Sequence, residues 1–140
     1  MNFVEIKTSE LIGSALDYAV AVCEDNVPLN IYGNLIPEFI HKYSTDWEAG
    51  GPIIENNNIT LIRANNEYKN SEPIPNWFAE TDKWVGHGVT SSCNHEQFDP
   101  CFMIDEESGY YGTAPLIAAM RCYVACKLGD VVKIPQDLLA

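Results

Sequence analysis

The chain has 140 residues, 46% of them hydrophobic, which suits one domain with a real core. Eight basic residues against twenty acidic ones give a net charge of −12. No basic cluster offsets this excess, since the six lysines are scattered and the arginines are Arg63 and Arg121, so nucleic acid and anionic membranes are excluded as partners.

The opening "MNFVEIKTSE" has no apolar core flanked by basic residues, and no apolar run approaches the roughly 20 residues that cross a bilayer. The expectation is a cytoplasmic protein with its five cysteines reduced. "FVEI" (Phe3–Ile6) predicts a first strand. "TSELIGSALDYAVAVCED" predicts a helix capped by Thr8 or Ser9, with Ile12, Ala15, Leu16, Ala19, Val22 and Cys23 as its buried stripe. Asp25, Asn26 and Pro28 stop it, and "LNIYG" (Leu29–Gly33) predicts a strand. After Pro37 comes a short helix or a turn. Pro52 is expected to start a helix of one or two turns through "IIEN".

"ITLIRA" (Ile59–Ala64) is the clearest strand, with Ile59, Leu61 and Arg63 on one side. The prolines of "EPIPNWFAET" make Trp77–Glu80 an edge strand. The stretch from Asp82 to Gly112 reads as a long loop. "TAPLIAAMRCYVACKLGD" predicts a second helix, capped by Thr113 or Ala114, with Pro115 in its first turn and Gly129 ending it. "VVKIP" (Val131–Pro135) predicts a last strand. These elements give an α+β fold over residues 1–140, two main helices packed on a small, mostly antiparallel sheet.

The second helix is apolar nearly all the way round and should be buried. Arg121 sits in its middle. A buried guanidinium needs a partner, either an internal carboxylate such as Asp17 or Asp46, or an anionic ligand in a cleft.

"YSTDWEAGGPIIE" (Tyr43–Glu55) is the other unusual stretch. Gly50 and Gly51 allow close backbone approach, and with Pro52 opening a helix their amides would converge on an anion. Trp47 offers a flat face for a base or sugar, unless it is a core plug. Asp46 can accept from ribose or amide donors, unless it caps a turn. Trp77 and Trp84 are further stacking candidates. No Gly-Lys-Ser/Thr follows, so this is not a P-loop.

His87, Cys93, His95 and Cys101 are all metal-ligand types, but their spacing fits no paired zinc clip, and no metal or cofactor is expected. Cys122 and Cys126 lie in the apolar helix and read as inert core thiols. Asp46, Glu48 and Glu55 are neighbouring acids, the weak basis for a hydrolase.

"LIGSALDYAVA", "YSTDWEAGGPIIE" and "APLIAAMRCYVACKLGDVVKIPQDLL" resemble, in that order, the three blocks of the NinX-like family of bacteriophage accessory proteins. Tyr18 stands where that family usually has tryptophan, and "GTAPLI" replaces a Gly-x-Thr-Pro arrangement. The resemblance implies a phage product acting in the host bacterial cytoplasm and carries no assigned activity. It marks Asp17, Ser44, Thr45, Asp46, Trp47, Gly50, Gly51, Pro52 and Arg121 as the family's polar and glycine positions. Together with Trp77 and Thr113, these form the expected ligand-binding set. The expected function is non-catalytic sequestration of a small nucleotide-like ligand, such as a host immune signal, between the Asp46–Pro52 loop and the Arg121 helix, with self-association a further expectation. The alternatives are an acidic module that inhibits a host protein and a small nucleotide hydrolase.

Overall fold

The first and last strands are partners. In the computed structural model, β1 (Phe3–Lys7) and β9 (Val131–Pro135) pair antiparallel, with Phe3 opposite Pro135 and Lys7 opposite Val131. The structure describes residues 2–63, 77–81 and 109–139, together with the backbone of four short strands between them. Those strands form two hairpins, β3 (Tyr68–Lys69) with β4 (Glu72–Pro73), and β6 (Val89–Cys93) with β7 (Pro100–Ile104). The stretch read as one long loop therefore contains a hairpin and then β8 (Tyr110–Gly112).

A second sheet has three antiparallel strands, in the order β2 (Ile59–Arg63), β5 (Trp77–Thr81), β8. β5, expected at an edge, is its centre, paired with β2 on one side and β8 on the other. The prolines lie ahead of Trp77, so every N–H from Trp77 to Thr81 is free to join a ladder.

Three α-helices pack against these two sheets, which is the α+β arrangement expected: α1 (Gly13–Cys23), α2 (Trp47–Asn56) and α3 (Pro115–Leu128). α3 is central. It buries Leu116, Ala118, Ala119, Met120, Cys122, Tyr123 and Val124 against α1, α2 and strands of both sheets. Its ends follow the sequence signals, with Ala114 at the N-cap, Pro115 in the first turn and Gly129 beyond the end at φ 92°. The Tyr123 hydroxyl donates to Glu24 at 2.8 Å and ties α3 to the end of α1.

α1 starts later than its sequence suggests. Thr8–Glu10 is a separate 3₁₀ turn, and Ile12 is the N-cap of α1. Thr8 caps nothing. It is fully buried, donates its hydroxyl to Gly129 O at 2.7 Å and its amide to Asp130 O at 2.8 Å, and so pins the end of β1 to the end of α3. Ala15, Leu16 and Ala19 of the expected stripe are buried, joined by Val20, whereas Ile12 and Val22 are exposed. "LNIYG" is not a strand but part of a closed loop, whose β-pairing is one isolated bridge between Leu29 and Leu35. Pro37–Phe39 is a 3₁₀ turn.

Candidate functional site

The polar turn before α2 is built from its own side chains. Lys42 O accepts from the amides of Thr45 (3.2 Å) and Asp46 (2.8 Å). Asp46 is the N-cap of α2. Its Oδ1 accepts from Glu48 N at 3.0 Å, and its carbonyl accepts from Ala49 N (3.1 Å) and Gly50 N (2.9 Å). Asp17, buried on α1, holds this turn in place by accepting from Ser44 N at 2.8 Å. The Ser44 hydroxyl is buried without a well-formed hydrogen bond, yet lies close enough to pull on the same carboxyl.

Burial lifts the Asp17 carboxyl above the ordinary carboxylate range, against the pull of Ser44 and of Lys42. A raised pKa means that the folded protein keeps a proton the unfolded chain releases, over the interval from the unfolded value near 3.8 up to the folded one. Through that interval stability falls as pH rises. Asp17→Asn keeps an acceptor for the Ser44 amide and removes the buried charge. It is expected to be at least as stable as the parent at neutral pH, with the gap closing towards about pH 4. Urea unfolding of both proteins at the two pH values checks this.

α2 begins at Trp47, five residues ahead of Pro52, and this overturns the expected anion cradle. The Gly50 amide is already bonded to Asp46 O, inside the helix. Each glycine has a different packing reason. A Cβ on Gly50 would collide with Tyr43 O and stand 2.7 Å from Leu116 Cδ2, so this glycine lets α2 close onto α3. Gly51 has open space around it, but it precedes Pro52. A proline ring clashes with the Cβ of a preceding helical residue, and glycine has none. Pro52 in turn leaves the Glu48 carbonyl without its i+4 amide donor. Gly51→Ala is therefore expected to destabilise by about 1 kcal/mol in the parent, but to stabilise by about 0.5–1 kcal/mol once Pro52→Ala is present. A double-mutant cycle by thermal unfolding reads this change of sign.

Beside the turn opens a cavity of about 410 Å³ lined by Asn26, His41, Tyr43, Asp46, Glu48 and Ala49. Asn26 donates to the Tyr43 hydroxyl at 3.3 Å, and the His41 and Tyr43 rings meet edge to face at 5.8 Å. Trp47 follows Asp46 and is 55% exposed, so it is not a core plug. Sequence reasoning missed Asn26 and His41. Asn26 carried only a helix-stop signal, and nothing in the spacing of His41 pairs it with Asp46.

Arg121 is elsewhere. Its Nε donates to Leu11 O at 2.7 Å and an Nη to Tyr111 O at 2.8 Å. Neither expected carboxylate, Asp17 or Asp46, is its partner. Burial draws its pKa below the ordinary value. None of the six residues lining the cavity comes from α3 or β8. On α3, Arg121 is turned roughly 140° from Leu116, the residue that meets Gly50. Trp77, half-buried opposite Gly112, and exposed Thr113 belong with Arg121 at the β8–α3 junction. The structure thus gathers Asp17, Ser44, Thr45, Asp46 and Trp47 at one place, and Trp77, Thr113 and Arg121 at another.

Trp84, His87 and His95 lie outside the described residues, as do the side chains of Cys93 and Cys101. Burial pushes the Cys23 thiol up to about 12, and a hydrogen bond with Cys126 raises that of Cys122, so neither is a ready nucleophile. Among the described residues no helix is long and apolar enough to cross a membrane.

No curated protein matches the chain. Residues 7–127 match the family described as bacteriophage P22 NinX, a span that takes in α1, the polar turn, α2 and nearly all of α3. The chain belongs to the phage NinX family.

Proposed function

We propose that this NinX-family protein binds a small polar ligand of nucleotide type, gripped by its nucleoside end in the cavity beside the polar turn, and holds it without turnover. The observation that carries the reading is the cavity beside the polar turn, whose lining offers both acceptors and donors, with the exposed Trp47 adjoining its lining residue Asp46 in the chain. A base stacks on the indole face, and stacking of this kind contributes about 1–3 kcal/mol per base. The Asp46 and Glu48 carboxylates accept from ribose hydroxyls, and Asn26, Tyr43 and His41 supply the opposite polarity. Two carboxylates disfavour a phosphate in the same cavity. The Gly50 and Gly51 amides are spent in a helix and Arg121 belongs to the other locus, so the phosphates of such a ligand face solvent. In a phage protein, such binding would withdraw a host signalling nucleotide from its receptor.

Thermal shift against nucleosides, mononucleotides and cyclic dinucleotides tests this. A melting rise is expected with at least one nucleoside-bearing ligand, abolished by Trp47→Ala, a change at an exposed position. Mass spectrometry of the recovered ligand should find it unchanged, and a hydrolysed product would favour the hydrolase instead. The reading fails if no such ligand shifts the melt, or if Trp47→Ala binds as the parent does.

A further inference from the structure

The segment from Pro28 to Ile36 is a rigid loop with an apolar tip. Asn30 organises it. Its Oδ1 accepts from Tyr32 N at 2.8 Å and Asn34 N at 3.0 Å, its amide donates to Asn34 O at 2.8 Å, and its carbonyl accepts from Gly33 N at 3.0 Å. Gly33 takes the positive φ of 80° that closes the turn. Ile36 N donates to Pro28 O at 3.0 Å, and Leu29 bridges Leu35, closing the base. A segment closed by this many hydrogen bonds across its base and turn is ordered before it meets anything. Yet its tip presents Ile31 at 91% exposure and Tyr32 at 81%, with Leu29 also exposed. Folding gains nothing from two large apolar side chains held in water, and contiguous exposed apolar groups mark contact sites.

We infer that the Ile31–Tyr32 tip is a preformed plug for a partner protein whose apolar pocket is rimmed by basic side chains. Charge selects this occupant over a second copy of the chain. Residues 24–48 carry Glu24, Asp25, Glu38, Asp46 and Glu48 against Lys42 alone, within a chain of net charge −12. Two such surfaces repel each other, whereas a basic rim is drawn to this one. A preordered loop loses little entropy on docking, and a buried aliphatic–aromatic pair supplies the anchor. It does not require a ligand in the cavity beside the polar turn.

The full chain carrying Tyr32→p-benzoylphenylalanine, expressed in its host bacterium and irradiated, should crosslink one host protein. That protein, purified, should bind the parent chain. Ile31→Ser should weaken binding at least about thirtyfold, and Tyr32→Ser comparably, while Trp47→Ala leaves it unchanged. Raising salt from 50 to 300 mM should slow association by roughly tenfold. Both serine variants lie on the surface and should melt with the parent. Crosslinks only between copies of this chain, or no defined crosslink, would overturn the inference. So would a captured protein whose binding ignores Ile31→Ser or ignores salt.

Discussion

Gly112→Ala is expected to lower stability by about 3 kcal/mol and the melting temperature by roughly 10 °C. Gly112 is buried at the end of β8, opposite Trp77. An added methyl would collide with Ala118 N and stand 3.0 Å from both Ala118 Cα and Ile117 C. These are backbone atoms of the central helix, in a turn where Ala118 N already donates to Ala114 O at 3.1 Å. A crowded side chain can change rotamer; a helix backbone must move whole, and α3 is wedged among α1, α2 and both sheets. Thr113→Ala, one residue on and exposed, is the control and should change stability by less than about 0.5 kcal/mol. Thermal and urea unfolding of the pair checks both values.

Arg121→Ala is expected to cost about 3 kcal/mol. The guanidinium crosses from α3 to two backbone carbonyls far apart in sequence, Leu11 O ahead of α1 and Tyr111 O in β8. Removing it breaks two charge-assisted hydrogen bonds in a partly buried place, where each contributes about 1.5–3 kcal/mol. Arg121→Lys should recover less than half of this, because an ammonium cannot present two coplanar donors to two separate carbonyls. The partners are neutral, so the cost should hold when salt is raised. It should also add to that of Asp17→Asn within about 0.5 kcal/mol. A strong coupling between those two positions would contradict the geometry.

The parts of the fold legible in the sequence were those in which pattern and punctuation agree. α3 has a largely apolar run between Pro115 and Gly129, interrupted by Arg121 and Lys127, and the structure gives it those ends. β1, β2 and β9 likewise stand where their alternating residues place them. Reading failed where two local signals competed. Asp46 and Pro52 are both helix openers. Asp46 prevails because Gly50 and Gly51 lack the Cβ atoms that would block close packing and a helical proline. β5 was misplaced because its prolines weaken a strand only at their own positions.

The candidate site was legible in part for a related reason. The polar turn is local and holds together through short-range bonds, with Asp17 the long-range exception. Whether Arg121 meets that turn depends on which face of α3 it occupies. α3 is apolar around nearly its whole circumference, so its sequence carries no phase by which to orient a single cation.

The β1–β9 ladder sets an order of events during synthesis. Phe3–Lys7 leaves the ribosome long before Val131–Pro135 exists, by roughly ten seconds at about 5–20 residues per second. Until then the first strand has no mate, and Thr8 lacks the Gly129 carbonyl it is built to meet. The clasp closes only after translation of the rest, so a chain stalled short of Val131 keeps its leading strand open to chaperones and to stray pairing.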